Sequence, residues 1–154
     1  MTFKPFSSAQ QDKVRSAVAQ SAQIHNYALL LAKDLQEIYS RPTSLKDWGM
    51  VFQLEDGKSD VYMQTPFGAA RAKLVIMVDE RGVFGRYVIE KRFEKRNDEQ
   101  AWMPVWAIRI EEDGSVYAGD EVGNPINSQD EFPNKMQIVK LALSILYAIG
   151  NTSI

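Results

Sequence analysis

The basic residues and tryptophans between positions 86 and 110 are the first feature of the chain that could do chemistry. Five Arg and Lys residues fall within the eleven positions 86–96, and Trp102 and Trp106 follow them. Basic side chains beside aromatic rings are typical of single-stranded nucleic-acid sites, where phosphates meet the cations and bases stack on the rings. The same spacing is typical of two antiparallel strands, because successive side chains of a strand point to opposite faces of the sheet. The pattern of the surrounding elements decides between the two interpretations.

Residue types that carry catalysis or bind metals are sparse elsewhere. His25 is the only histidine and there is no cysteine, so paired-His metal sites, Cys-type metal sites and thiolate catalysis are excluded. The sequence has neither a G-x-S-x-G motif nor a glycine-rich phosphate loop. An acidic loop could offer oxygen ligands to a calcium ion, although its spacing matches no EF-hand; its residues are Asp120, Glu121, Asn124, Asn127 and Asp130. We therefore expect no catalytic residue, no metal and no cofactor.

Length, composition and charge predict one ordinary globular domain over residues 1–154. The chain is 45% hydrophobic and 25% charged, and its length allows a core that is stable without disulfides. The net charge is −2, whereas proteins that bind nucleic acid nonspecifically usually carry a positive excess. Residues 1–8 hold one lysine and no apolar core of signal-peptide length, and the apolar run at 141–149 is too short to cross a bilayer. These features predict a soluble, cytoplasmic protein with no membrane partner.

Two helices are predicted, one towards each end of the chain. Ser7 or Ser8 can cap the first, and the helix is expected to end before Pro42, because proline disfavours a helical residue in front of it. The last helix covers 135–149, is apolar almost all round, and has Gly150 as a candidate left-handed cap. The first helix is expected to face a sheet through a stripe of Val14, Val18, Ser21, His25, Ala28, Ala32, Leu35 and Tyr39, flanked by Ala17, Ile24, Leu31 and Ile38.

Between the helices, from Trp48 onward, the apolar period changes to two, which is typical of strands. Turn sequences at 55–58, 79–82 and 112–115, together with a polar loop at 94–100, divide this region into short antiparallel strands. Strands so close in sequence are expected to pair with their nearest neighbours. The predicted fold class is α+β: a long N-terminal helix packed on an antiparallel meander sheet of about six strands, with a buried C-terminal helix.

The turn positions also predict a register for the three central strands. This register places Phe93 opposite Trp102 and Ile89 opposite Trp106, so that the large apolar side chains share one face. A slip of one residue would scatter them over both faces. Both tryptophans are therefore interpreted as core residues, and the basic stretch as one arm of a hairpin.

The opposite face of the predicted sheet mixes charged and apolar side chains. Its charged members are Arg71, Lys73, Arg86, Glu90, Arg92, Glu94 and Arg109, and its apolar members are Val75, Met77, Phe84, Val88, Met103, Val105 and Ala107. Seven apolar groups are too many for a face open to water, so either the C-terminal helix or another molecule should cover them. Arg86 and Arg109 fall directly opposite one another, which is unfavourable unless the side chains splay apart or an anion or carboxylate joins them.

These patterns support two hypotheses about function. The first is a non-enzymatic protein-binding module of the inhibitor, immunity or adaptor type, bacterial or phage in character, which uses its sheet face or long helix to bind another protein or a second copy of itself. The alternative is a nucleotide- or nucleic-acid-binding protein that uses the Arg/Lys cluster of the sheet face, against which the negative net charge argues. An enzyme built on carboxylates and arginines ranks last. The candidate partner- or anion-binding residues are Arg71, Lys73, Phe84, Arg86, Val88, Arg92 and Arg109.

Overall fold

A long helix, a meander of strands and a final helix make up the fold, as the sequence predicts. The computed structural model describes residues 2–55, 58–120, 123, 125–126 and 135–152. The elements are α1 (Ser8–Ser40), α2 (Pro42–Trp48), β1 (Val51–Leu54), β2 (Val61–Thr65), β3 (Gly68–Asp79), β4 (Gly82–Glu94), β5 (Gln100–Glu111), β6 (Val116–Ala118) and α3 (Met136–Asn151). The strands pair in sequence order in one antiparallel sheet. The α+β class is therefore confirmed.

Helix α1 begins with a capping box and continues unbroken for 33 residues. The Ser7 hydroxyl accepts a hydrogen bond from the Gln10 amide at 3.2 Å, and the Ser7 amide donates to the Gln10 side chain at 2.8 Å. The helix ends at Arg41, and Pro42 then starts α2, since the fixed φ of proline suits the first turn of a helix. Trp48, which the sequence pattern places at the start of a strand, belongs instead to α2.

The face that α1 buries is turned slightly from the predicted stripe. Val14, Val18 and His25 are exposed, whereas the flanking residues of the prediction are buried. Gly85 on β4 explains the shift, because a Cβ atom there would lie only 2.6 Å from the Ile24 side chain. Ile24 therefore presses directly onto the sheet and turns His25 outward. The buried residues of α1 are Ala17, Ile24, Ala28, Leu31, Ala32, Leu35, Ile38 and Tyr39.

Helix α3 packs beside α1 on the same face of the sheet, which we call the inner face. The Tyr39 hydroxyl donates to the carbonyl of Ala142 at 2.7 Å, and Lys135 pairs with Asp34 at 3.1 Å. Burial raises the pKa of Tyr39 above its ordinary value, so this hydroxyl keeps its proton. The option that α3 covers the opposite face is therefore wrong. Helix α3 also buries one side only, since Leu143 and Tyr147 are exposed.

The C-terminus of α3 is closed by a lysine, and the predicted glycine cap is wrong. Gly150 lies within the helix and has no positive φ. The Lys91 ammonium donates to the carbonyls of Ile149 and Thr152 at 2.9 and 3.0 Å, where the negative end of a helix favours a cation. Position 150 favours glycine for a different reason: a Cβ atom there would lie only 2.9 Å from the Phe67 ring.

The predicted register holds for one half of the β4–β5 pair and fails for the other. Ile89 lies opposite Trp106, as expected, but the register shifts after Ile89 and places Trp102 opposite Arg92 instead of Phe93. Val105 is the extra residue of this β-bulge, next to Pro104, which has no N–H to donate to the ladder. Trp102 therefore leaves the inner face, and the prediction that it packs on Phe93 in the core is wrong.

Candidate functional site

The face of β3, β4 and β5 opposite the helices, which we call the outer face, carries all the candidate binding residues. Alternate residues of these strands point to it, and the observed pairs Lys73–Val88, Arg86–Arg109 and Phe84–Glu111 fix their positions. The bulge removes Met103 and Val105 from the apolar set expected here, because it shifts their register, and it adds Trp102. The structure thus brings together Arg71, Lys73, Phe84, Arg86, Val88, Arg92 and Arg109 on one face.

An arginine lies on an aromatic ring near the β3–β4 turn. The Arg109 guanidinium carbon is 3.8 Å from the centroid of the Phe84 ring, which is only 9% exposed. Glu111 accepts a hydrogen bond from Arg109 Nε at 2.7 Å, and Asp79 lies 3.8 Å from the same guanidinium group. The stack and the ion pairs together hold Arg109 in a single orientation.

A second arginine lies on an aromatic ring towards the β4–β5 loop. The Arg71 guanidinium carbon is 4.2 Å from the centroid of the Trp102 ring, and its Nε donates to Glu90 at 2.8 Å. The register derived from sequence missed Trp102 as a surface residue. Pro104 inside an apparent inner strand was the available signal, since proline within a sheet indicates an edge or a bulge.

Apolar side chains occupy the surface next to the two stacks. Val75 and Met77 on β3 are 45% and 42% exposed, and Val88 on β4 is half-buried. Met77 lies opposite Phe84 in the ladder, and Val75 is two residues away on the same face. Neither α1 nor α3 lies over these side chains, so the described helices leave an apolar surface bounded by ordered arginines.

Arg86 and Arg109 lie directly opposite one another, as the register predicts, and each has its own carboxylate. Arg86 donates two hydrogen bonds to Asp120, at 2.8 and 2.6 Å, while Arg109 bonds Glu111. The hydrogen bond from Arg86 holds the pKa of Asp120 below its ordinary value and raises the pKa of Arg86. The carboxylates of Asp120 and Glu111 therefore offset the repulsion expected between the two arginines.

Two cations of the outer face differ from the rest. Lys73 and Arg92 are exposed, and within the described part of the chain neither forms an ion pair. They are the groups on this face that could still attract a negatively charged partner. Arg92 lies opposite Trp102, at the end of the face nearer the β4–β5 loop.

The structure gives little support to the other sites that the sequence suggested, His25 and the acidic loop. His25 is exposed on α1, and among residues 2–55, 58–120, 123, 125–126 and 135–152 no three His, Asp or Glu side chains converge as metal ligands would. Of the acidic loop considered for calcium, Asp120 is described and bonds Arg86; the other four residues lie outside the described set. None of the helices in the described ranges has the length and apolarity needed to cross a membrane.

A groove of about 540 Å³ also lies between α3 and β5, lined by Trp106, Leu143 and Tyr147 among others. None of the described residues that line this groove is charged. We regard it as secondary to the outer face, which combines charge, aromatic rings and exposed apolar groups.

Comparison with known proteins gives no match to this chain: no family model, no curated protein and no solved structure is similar to it. The function proposed below therefore rests on the geometry of the outer face.

Proposed function

We propose that the protein is a non-enzymatic binding module whose outer face docks another protein. The observation that carries this proposal is the pair of arginine–aromatic stacks, Arg109 on Phe84 and Arg71 on Trp102, beside the exposed Val75 and Met77. Aromatic residues and arginine are enriched in the parts of protein interfaces that contribute most to affinity. Both stacks are held by carboxylates before any partner arrives, which lowers the entropy lost on binding.

The ion pairs of the face favour a protein over a phosphate-containing ligand. Arg71, Arg86 and Arg109 each bond a carboxylate of the same chain, at 2.8, 2.6 and 2.7 Å. A phosphate would have to displace these carboxylates and leave their charges without a partner, which costs free energy. An apolar protein surface needs no such exchange, because it covers Val75 and Met77 and leaves the ion pairs at the rim.

A role of the inhibitor, immunity or adaptor type, in the cytoplasm, remains our proposal for such a module. The absence of cysteine from the chain is compatible with a reducing compartment. The outer face, with two arginine–aromatic stacks held by carboxylates, suits a protein that acts by occupying the surface of another.

Capture of partners from the source cells tests this function. The wild-type chain is compared with Met77→Asp, which places a charge in the apolar part of the outer face. Leu143→Asp is the matched control, because Leu143 is similarly exposed, at 43%, but lies on α3. We expect Met77→Asp to lose a partner, or a second copy of the chain, that the wild type and Leu143→Asp retain. Equal retention by all three proteins, at equal folded fraction by circular dichroism, would contradict the proposal.

A nucleic-acid site is the second candidate function, and one observation favours it: Lys73 and Arg92 are exposed on the outer face, where Arg92 lies opposite Trp102. Fluorescence anisotropy with labelled single-stranded DNA and RNA decides the matter. We expect no measurable binding at about 0.15 M salt, since the net charge is −2 and carboxylates are interleaved with the arginines. A salt-sensitive micromolar complex that is lost in Arg92→Ala would reverse the order of the two functions.

A further inference from the structure

The charges of the outer face are unevenly divided between its two ends. We call the end beside the β3–β4 turn the turn end and the end beside the β4–β5 loop the loop end. Among the described residues of this face, the turn end has two cations and three carboxylates, and the loop end has three cations and two carboxylates. These groups are, at the turn end, Asp79, Arg86, Arg109, Glu111 and Asp120, and, at the loop end, Arg71, Lys73, Glu90, Arg92 and Glu94.

Most of the accessible charge at each end has the sign of the excess charge at that end. At the loop end, Lys73, Arg92 and Glu94 are exposed and form no ion pair with a described residue, which leaves one more accessible cation than carboxylate. At the turn end, the side chains of Asp79 and Asp120 are 40% and 61% exposed. The face therefore presents accessible positive charge towards one end and accessible negative charge towards the other. Its two middle ladder positions hold apolar Val88 beside Lys73 and apolar Val75 beside Arg86.

This arrangement makes the outer face complementary in charge to the outer face of a second copy of the chain. In a two-fold dimer each contact occurs twice, with the same patch used by both copies. If the axis lies in the interface and runs across the strands, the turn end of one copy meets the loop end of the other. Opposite charges then face each other at both ends. An axis along the strands would instead place like charges together, which is unfavourable.

We infer that a second copy of this chain is the partner of the outer face, related by a two-fold axis that runs across the strands. The inference rests on the proposed function and names its partner. Arg92 of one copy lies near Asp79 of the other and Lys73 near Asp120, while Val75 and Val88 of both copies lie next to the axis and Met77 is covered beside them.

Sedimentation equilibrium with charge-reversal variants of the full chain tests the inference. The wild type is expected to be largely dimeric at about 100 µM, with weaker association at high salt. Lys73→Glu with Arg92→Glu makes both ends negative, and Asp79→Lys with Asp120→Lys makes both ends positive. Each double variant alone should associate at least about tenfold more weakly than the wild type, because like charges meet at both ends. An equimolar mixture of the two should form a heterodimer.

The matched control is Lys140→Glu, which changes an exposed lysine of α3 and should leave the dimer unchanged. A wild type that is monomeric at this concentration overturns the inference whether or not the variants fold. So does a dimer that is insensitive to Met77→Asp. If the wild type is monomeric while Met77→Asp still loses a captured protein of another kind, the second copy is wrong and the proposed function stands. If the wild type is monomeric and Met77→Asp loses no captured protein, both the inference and the proposed function are wrong.

Discussion

The guanidinium carbon of Arg71 lies 4.2 Å from the centroid of the Trp102 ring, on the side of the sheet that faces away from both α1 and α3. The β-bulge at Val105 places the indole there, since an uninterrupted β5 would direct Trp102 to the inner face. Glu90 holds Arg71 over the ring through a 2.8 Å hydrogen bond. One inserted residue thus moves a tryptophan from the inner face to the outer face.

The two tryptophans should contribute differently to stability. Trp106 packs against the hydrophobic core, whereas Trp102 lies under Arg71 on the outer face. Trp106→Ala is expected to lower the free energy of unfolding by about 3 kcal/mol, as for a large truncation beside a core, and Trp102→Ala by about 1 kcal/mol. Urea unfolding at neutral pH measures both values. A larger loss for Trp102→Ala would contradict the observed register.

Gly85 should tolerate no side chain, because α1 approaches β4 there. A Cβ atom at Gly85 would lie 2.6 Å from Ile24 and 3.1 Å from Leu74. Gly85→Ala is expected to cost about 1–3 kcal/mol, since one of these buried side chains must move. Gly123→Ala is the control, because a Cβ atom there would have no neighbour within 4 Å, and it should change stability by less than about 0.5 kcal/mol. Equal stability of the two variants in thermal unfolding would be inconsistent with the packing described.

Lys91 should stabilise the end of α3. Its ammonium group donates to the carbonyls of Ile149 and Thr152, so Lys91→Met removes two charge-assisted hydrogen bonds and is expected to cost about 2 kcal/mol. Amide hydrogen exchange should also become faster in the last turn of α3. Lys73→Met removes an exposed lysine of the neighbouring strand and should cost less than about 0.5 kcal/mol. If both variants behave alike, Lys91 does not close the helix.

The pair of Arg86 and Asp120 should give stability a small dependence on pH. The pKa of Asp120 is lowered in the folded protein, mainly by the hydrogen bond from Arg86. The stabilisation is therefore fully present above the unfolded pKa of 3.8 and is lost as the pH falls through the lower, folded value. Asp120→Asn should lower the free energy of unfolding by about 0.5 kcal/mol at pH 7, since the pair is exposed, and the difference from wild type should vanish at low pH. If the difference in unfolding free energy between wild type and Asp120→Asn grew as the pH fell, the predicted pH dependence would be contradicted.

The sequence predicts the hairpin of β3 and β4 fully, because the turn at 79–82 and an uninterrupted alternation leave one register for residues such as Val78 and Val83. It predicts the register of β5 correctly only from Trp106 to Glu111, because the bulge before Trp106 adds a residue without disturbing the local apolar pattern. The roles of Gly150 and Lys91 could not be predicted, since both depend on contacts with elements distant in the chain.

The candidate residues on the outer face follow from strand alternation, and their positions agree with the structure. The carboxylates that pair with these arginines cannot all be predicted from strand alternation. Glu90 is the cross-strand neighbour of Arg71 and could be read from the register. Asp120, by contrast, reaches Arg86 from 34 residues further along the chain, beyond β6. A contact that depends on where a loop folds back has no signature in local periodicity.

The accessibility of Met77 tests the central claim, that the outer face docks a protein, most directly. Brief exposure to hydroxyl radicals oxidises accessible methionines, and mass spectrometry locates the sulfoxide in the chain. Met77 is 42% exposed on the outer face, and Met136, 58% exposed on α3, is the internal control. The rates are measured in dilute purified protein and in an extract of the source cells. We predict that Met77 is oxidised several-fold more slowly in the extract, relative to Met136, than in the purified chain. An unchanged ratio of the two rates would contradict the account.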